Sequence, residues 1–499
     1  MSDSDCRVYH DGRYCSAVDL PGFLMGIDQI LITGGLILIY RLLFGSRGRG
    51  WILFIASLLA VFWLQPPLPV RGLDFWLPLA TLMLGLAGWL LTQPPGERGG
   101  RENWMAALAV AGVVIALGLT RYLGSQPWIT ASRPPGMEQV LPGLAAAGLV
   151  GLVLARFSRP LPSVLAAGLA VLILIFVVLK APPLIQTASE MLRVWSGQAV
   201  ERASVLDIRW LGFSYIAFRL IATLRDRQAG RLPHFNLREY MTYLVFFPTL
   251  TAGPIDRPER FVKDLRAEAP FNAAEAAAGG ERLAVGLLRK FVIADGLAFF
   301  ALDPSNVAAI RGAGWLWLAL FAYSLRIYFD FAGYTDIAIG LARWLGVRLP
   351  ENFNRPYLKP NLTQFWNNWH ITLTQWFRAY YFNPLTRALR GRKPPLAAPL
   401  VILITQLTTM LLIGLWHGIT WNFVLWGAWH GLGLYLHNRY AEASRGWLTR
   451  LEQRPQLKRG YTFAGGGLTF VFVSLGWVWF VLPDTLAAWS VLTRLFGLG

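Results

Sequence analysis

Uninterrupted apolar stretches recur from Leu24 to the last residues of this chain, and many reach the roughly 20 residues that a helix needs to cross a bilayer. Their number rules out a single water-soluble core. Hydrophobic residues make up 55% of the chain and charged residues only 15%, an imbalance that a soluble domain does not carry. Basic or Pro/Gly-rich breaks delimit expected spans near residues 24–44, 51–65, 74–92, 103–121, 138–155 and 161–182. Further spans are expected near 205–224, 238–252, 283–303, 313–345, 398–415, 419–437 and 463–482, with a last run at 485–498 that is short for a crossing. The fold class that follows is all-α: a polytopic membrane protein with about 11 to 13 hydrophobic passes.

Charge has to be read against that background. A net charge of +18 would suggest nucleic acid in a soluble protein, but here the basic residues stand in short breaks between apolar runs. Arg41, Arg47 and Arg49; Arg156 and Arg159; Arg225, Arg227 and Arg231; Arg387, Arg390, Arg392 and Lys393; and the run from Arg439 to Arg459 read as positive-inside anchors. No basic stripe interleaved with aromatics stands on a soluble surface, so nucleic acid is not an expected partner, whereas membrane lipid is. The 22 Trp and 16 Tyr fit interfacial belts, where an amphipathic ring sits at headgroup level.

Four segments differ in character. Residues 1–23 form a polar leader that holds both cysteines, Cys6 and Cys15, so neither a disulfide framework nor a cysteine metal site is expected. The leader lacks the charged, apolar and small-residue zones of a signal peptide, so the expectation is a retained N-terminus inserted by the first spans. Residues 24–203 are Leu-, Ala-, Val- and Gly-rich spans that offer no chemistry. Polar residues enter the spans from Ser204, which makes 204–440 the segment where a site belongs, and 441–499 is a basic loop with closing helices. Within the third segment, 351–384 mixes Asn, Arg, Trp and Pro with short apolar pieces. That mixture predicts irregular or re-entrant backbone, which membrane depth tolerates only inside protein or along a wet cavity.

Six histidines can be ranked by setting. His10 in the leader and His234 in a basic loop read as solvated or interfacial. His370 closes Phe365-Trp366-Asn367-Asn368-Trp369-His370, and His417 sits in Gly414-Leu415-Trp416-His417-Gly418. Both stand at expected membrane depth, where an ionisable residue suggests function, although a buried imidazole satisfied by a neighbouring helix is the plain alternative. On one continuous helix, His417 and His430 would be separated by roughly 20 Å and about 220° of rotation, too far to serve one reacting atom. His430 and His437 share a helical face that runs into Arg439 and read as an interfacial pair, which leaves His370 as the better partner for His417.

Other chemistries lack their residues. No His-x-x-x-His or Cys-x-x-Cys spacing is present, so no metal is expected. Neither a Gly-x-Ser-x-Gly elbow nor a Walker A loop occurs, which speaks against a serine hydrolase and an ATP-driven pump. Asp330 and Asp336 lie in an otherwise apolar run, where buried ties to Arg326 or Arg343 would give them a supporting role. The turn-rich segment from Pro350 to Tyr357 reads as connection.

Taken in order, several segments resemble the membrane-bound O-acyltransferase family, in the bacterial branch that includes alginate O-acetylation proteins and lipoteichoic-acid D-alanyl transferases. They are Trp210 to Tyr215, Phe247 to Arg257, Asp330 to Tyr334, Glu351 to Asn354, Phe365 to Phe377, and the paired Trp-His-Gly motifs at His417 and His430. The resemblance covers roughly half of the chain. It implies a ring of helices around a thin centre pierced by a tunnel, with re-entrant segments. It also places the family's catalytic histidine on His417 and its second active-site position on His370. Neutral His417 would then take the proton of an acceptor hydroxyl as its oxygen attacks a thioester. His370 would orient the acceptor or stabilise the oxyanion, with Asn367 or Asn368 assisting. Trp366, Trp369, Trp416, Asp330, Asp336 and Arg378 would line or support the site.

No tightly bound cofactor is expected, only an acyl thioester as co-substrate: acetyl-coenzyme A or an acyl carrier protein. The expected acceptor is an exported polysaccharide, reached with or without a periplasmic or extracellular partner protein, at a bacterial inner membrane. Acetyl is the favoured group and D-alanyl the alternative, since different segments resemble each branch. A transporter or flippase using the histidines as a proton relay, or a non-catalytic scaffold, stands as the competing class.

Overall fold

The computed structural model describes residues 26–124, 127, 129–156 and 162–498. The leader at 1–23 with Cys6, His10 and Cys15, and Arg159 in the loop before the sixth span, lie outside the described residues. Every regular element among those described is a helix. Two compact units are present, one built from 23–286 and 334–350, the other from 287–333 and 351–499.

The first unit contains α1 (Ile27–Phe44), α2 (Arg49–Trp63), α3 (Leu73–Thr92), α4 (Arg101–Leu119), α5 (Met137–Ala155) and α6 (Pro162–Lys180). Their bounds fall within a few residues of the sequence expectation, because each run is uniformly apolar and ends at a charge, Pro or Gly. α5 and α6 leave most of their surface uncovered, as helices that touch lipid do. α7 (Pro182–Trp195) instead lays Ile185, Ser189 and Arg193 onto the protein. Arg193 is paired with Asp207 at 2.5 Å, beside an apolar cluster of Val70, Leu73, Leu77, Ile185 and Ile208.

Two expected spans come out differently. The run near 205–224 becomes helical only at α8 (Phe213–Gln228), because Gly212 adopts φ 67° where a side chain would strike the Leu250 carbonyl. The run near 238–252 holds α9 (Leu237–Val245), nine residues long and about 14 Å, too short to cross a bilayer. Pro248 and Pro254 end the helical pattern, and Arg219 of α8 takes the Leu244 carbonyl freed there at 2.6 Å and Thr249 Oγ1 at 2.6 Å.

The basic residues at α1 and α2 also need correction. Arg41 and Arg49 are buried rather than presented to headgroups. Arg49 donates to the carbonyls of Leu265 (2.9 Å) and Ala267 (2.6 Å) at the end of α10 (Pro258–Arg266), and to those of Leu345 and Gly346. These cations cap helix C-termini inside the protein, where a guanidinium fork can satisfy several orphan carbonyls at once. α11 (Ala273–Leu287) closes this part of the chain, and its Arg282 pairs with Asp336 at 2.6 Å. Arg343, the partner expected for one of the aspartates, pairs with Glu275 at 2.8 Å.

The second unit begins with a π turn at Leu288–Ala294. α12 (Ala313–Trp344) is 32 residues long and contributes its part up to Gly333 here. The irregular stretch resolves into short pieces: α13 (Leu362–Asn368), α14 (Ile371–Phe377) and α15 (Asn383–Arg390). α16 (Ala398–His417), α17 (Trp421–Ala443), α18 (Pro455–Val481) and α19 (Thr485–Leu495) complete the unit. Across the described residues seven helices are long and apolar enough to span a membrane, so the chain is a multi-pass membrane protein. α12 and α17 have the length but carry polar residues inside them.

Candidate active site

His417 is the last residue of α16. Gly418, with φ −176°, breaks the helix there, and α17 restarts at Trp421 and returns along α16. Small residues make the return tight. A side chain at Gly427 would sit 2.6 Å from the Met410 carbonyl oxygen, and one at Gly431 2.9 Å from Leu407 Cα. The two backbones therefore touch through a Gly-x-x-x-Gly face.

This hairpin overturns the spacing argument for His430, which assumed one continuous helix. Trp426 packs against His417 with ring centroids 5.6 Å apart and against His430 at 4.9 Å. His430 is 0% exposed among Trp366, Trp426 and Phe472, so it is a core residue and not an interfacial one. His437 is partly exposed and bonded to Thr363 at 3.0 Å. His234, half exposed as expected, pairs with Glu97 in the other unit.

His417 stands in an aromatic shell. Trp416 lies 4.4 Å away, Phe480 4.8 Å and Phe423 5.8 Å between ring centroids. His370, 3% exposed, meets the edge of Phe331 at 4.6 Å and Trp416 at 6.1 Å. One indole therefore contacts both imidazoles, and two histidines 47 positions apart in sequence share a wall. His370 is buried and His417 partly so, and low-dielectric surroundings strengthen a hydrogen bond made to developing charge.

The other expected residues divide. Trp369 packs on Phe353, Tyr357 and Trp477, and Trp366 on Trp426 and His430, so both belong to the aromatic cluster that reaches His417 through Trp426. Asp330 is held by Lys290 of the π turn at 2.5 Å rather than by Arg326, one residue before Phe331. Asp336 belongs to the first unit with Arg282. Asn367 is exposed and accepts from Arg378 at 2.7 Å, while Asn368 donates to the Gln364 carbonyl at 2.8 Å. Each amide thus uses one of its two polar ends on a neighbouring group.

Sequence reasoning did not single out Phe331, Phe423, Trp426 or Phe480 as site residues. Phe331 lay within a segment noted for resemblance, and that was the only signal. Among the described residues no group of three His, Cys, Asp or Glu side chains converges as a metal centre requires.

Comparison with known proteins extends this picture. The sequence pattern of the membrane-bound O-acyltransferase family matches residues 169–460, more than half of the chain. A probable alginate O-acetylase of Azotobacter vinelandii is 34% identical over 290 residues, 58% of this chain and 54% of that protein. A teichoic acid D-alanyltransferase of Streptococcus thermophilus is 32% identical over 241 residues, 47% of this chain and 58% of the relative. A peptidoglycan O-acetyltransferase of Helicobacter pylori is 33% identical over 269 residues, 54% of this chain and 48% of the relative. The chain thus spans about half the length of each of these relatives.

Proposed function

From the premise that this chain belongs to the membrane-bound O-acyltransferase family, we propose that it transfers an acetyl group from a cytoplasmic thioester to hydroxyls of an exported cell-surface polysaccharide. The observation that carries the reading is that His370 and His417 both contact the Trp416 indole, in a helical membrane protein.

In this scheme neutral His417 accepts the proton of the acceptor hydroxyl as that oxygen bonds to the thioester carbonyl carbon. The tetrahedral intermediate collapses, the carbon–sulfur bond breaks, and the proton on His417 passes to the leaving thiolate. His370 donates a hydrogen bond to the oxyanion or holds the acceptor. Direct transfer fits an imidazole that serves as base. The donor is acetyl-coenzyme A or an acyl carrier protein, the membrane is the cytoplasmic one, and the acceptor is met from the opposite face through a passage between the helices. Two relatives named for O-acetylation of alginate and of peptidoglycan support acetyl as the group. The D-alanyltransferase relative, of comparable identity, supports D-alanyl as the second reading.

The test is mass spectrometry of surface glycans from cells with and without the gene. Loss of mass increments for acetyl is the expected result and loss of alanyl selects the second reading. Glycans unchanged in both respects would remove the substrate assignment.

A further inference from the structure

His370 has an unusual backbone. Its φ of 41° and ψ of 56° lie in the left-handed region, which a residue with a side chain seldom occupies. It is also the N-cap of α14 and makes no side-chain capping bond. An ordinary N-cap residue is extended and folds its side chain back onto the second or third amide of its helix. His370 does neither, because its imidazole is turned toward Phe331 and Trp416. The first turn of α14 therefore needs another acceptor.

Asn352 supplies it from outside the helix. Its backbone carbonyl accepts from the Ile371 amide at 2.9 Å. Its side-chain Oδ1 accepts from the Thr372 amide at 3.3 Å and from Thr372 Oγ1 at 2.6 Å. On the other side of His370, the Asn354 amide donates to the Asn368 carbonyl at 3.1 Å. Residues 352–354 are thus stitched to the chain on both flanks of the histidine. Asn352 is 0% exposed, and its Nδ2 is buried without a hydrogen-bond partner among the described residues. The acceptor end of this amide carries the capping, and its donor end contributes nothing to it.

We propose that Asn352 is a positioning residue for acyl transfer: by capping α14 in place of His370 it holds His370 in the left-handed conformation that directs the imidazole to Trp416. A segment that reads as a connecting turn then has a specific task. The proposal rests on the reading of His370 as a member of the active site, and the experiment separates the two.

Purified protein in lipid nanodiscs is assayed with acetyl-coenzyme A and the surface polysaccharide fraction of the producing strain. His370→Ala comes first: transfer at the parental rate would remove His370 from the site and the proposal with it. With His370→Ala impaired, Asn352→Ala is expected to lower kcat about 10- to 100-fold while KM for acetyl-coenzyme A stays within about twofold, as a displaced catalytic group requires. Asn352→Asp keeps the acceptor oxygens and is expected to restore kcat to within about threefold of the parent. Thr372→Val removes one bond to the same oxygen, and its smaller loss is expected to vanish in the Asn352→Ala background. Parental kcat in Asn352→Ala, Asn352→Asp no better than Asn352→Ala, or additive losses would overturn the proposal while leaving His370 in the site. If Asn352→Ala yields no monodisperse protein, Thr372→Val alone decides: reduced kcat at constant KM supports the cap, and parental kcat rejects it.

Discussion

Substituting Gly427 by Ala tests the hairpin that brings His417 to its neighbours. The new Cβ would lie 2.6 Å from the Met410 carbonyl oxygen, 2.8 Å from Leu411 Cα and 3.0 Å from the Met410 carbonyl carbon. All three are backbone atoms of α16, so no side chain can swing away, and the helices must separate by several tenths of an ångström. Overpacking of this kind costs about 1–3 kcal/mol, and the better helix propensity of Ala offsets up to about 1 kcal/mol of it. The net expectation is a loss of about 1–2 kcal/mol. Trp426 precedes Gly427 and touches His417, so the displacement reaches the imidazole. A shift approaching 1 Å at a reacting group can lower a rate about 100-fold, and a fraction of that shift is expected to lower kcat about tenfold. Thermal unfolding in detergent and acetyl transfer would be measured together. Gly467→Ala on α18, where an added Cβ meets nothing within 4 Å, is the control and should lose neither stability nor activity. Parental stability and parental kcat in Gly427→Ala would refute the close-contact reasoning.

Two further outcomes follow from buried groups. Asp207→Asn leaves Arg193 uncompensated in a site where the paired side chains are 6% and 2% exposed, and should cost about 3–5 kcal/mol, whereas Arg193→Met with Asp207→Leu should recover most of it; thermal unfolding of the two variants beside the parent checks this. His370→Gly and His370→Ala both delete the ring, but Gly accepts φ 41° without strain, so the Gly variant should be the more stable by about 1 kcal/mol, and the reverse order in denaturation midpoints would contradict the left-handed assignment.

What was legible in the sequence was whatever depends on local composition. Met137–Ala155 and Pro162–Lys180 match runs expected at 138–155 and 161–182, since an apolar run in lipid has only the helix available to it. Breaks were harder. Gly is common inside membrane helices, so nothing in Trp416-His417-Gly418 announces that α16 ends there and α17 returns, and the distance from His417 to His430 was therefore misjudged. Partners distant along the chain were harder still. Lys290 and Asp330 are 40 residues apart, and Asn352 reaches Thr372 across 20. The basic residues illustrate the same limit: Arg47 is exposed as an anchor would be, while Arg41 and Arg49, of the same type and in the same segment, are buried against backbone carbonyls. The pairing of His370 with His417 rested on the resemblance, on the irregular setting of His370 and on a spacing argument against His430 that the hairpin overturns; the geometry adds Trp416 as the side chain that both imidazoles contact.

The most direct measurement of the central claim is acetyl transfer by His417→Ala, purified, monodisperse and with the parental unfolding midpoint, from labelled acetyl-coenzyme A to the surface polysaccharide fraction. Removal of a general base should lower kcat by about 100- to 10,000-fold with thioester binding retained. Transfer at the parental rate by that protein would contradict the assignment of His417 as the base.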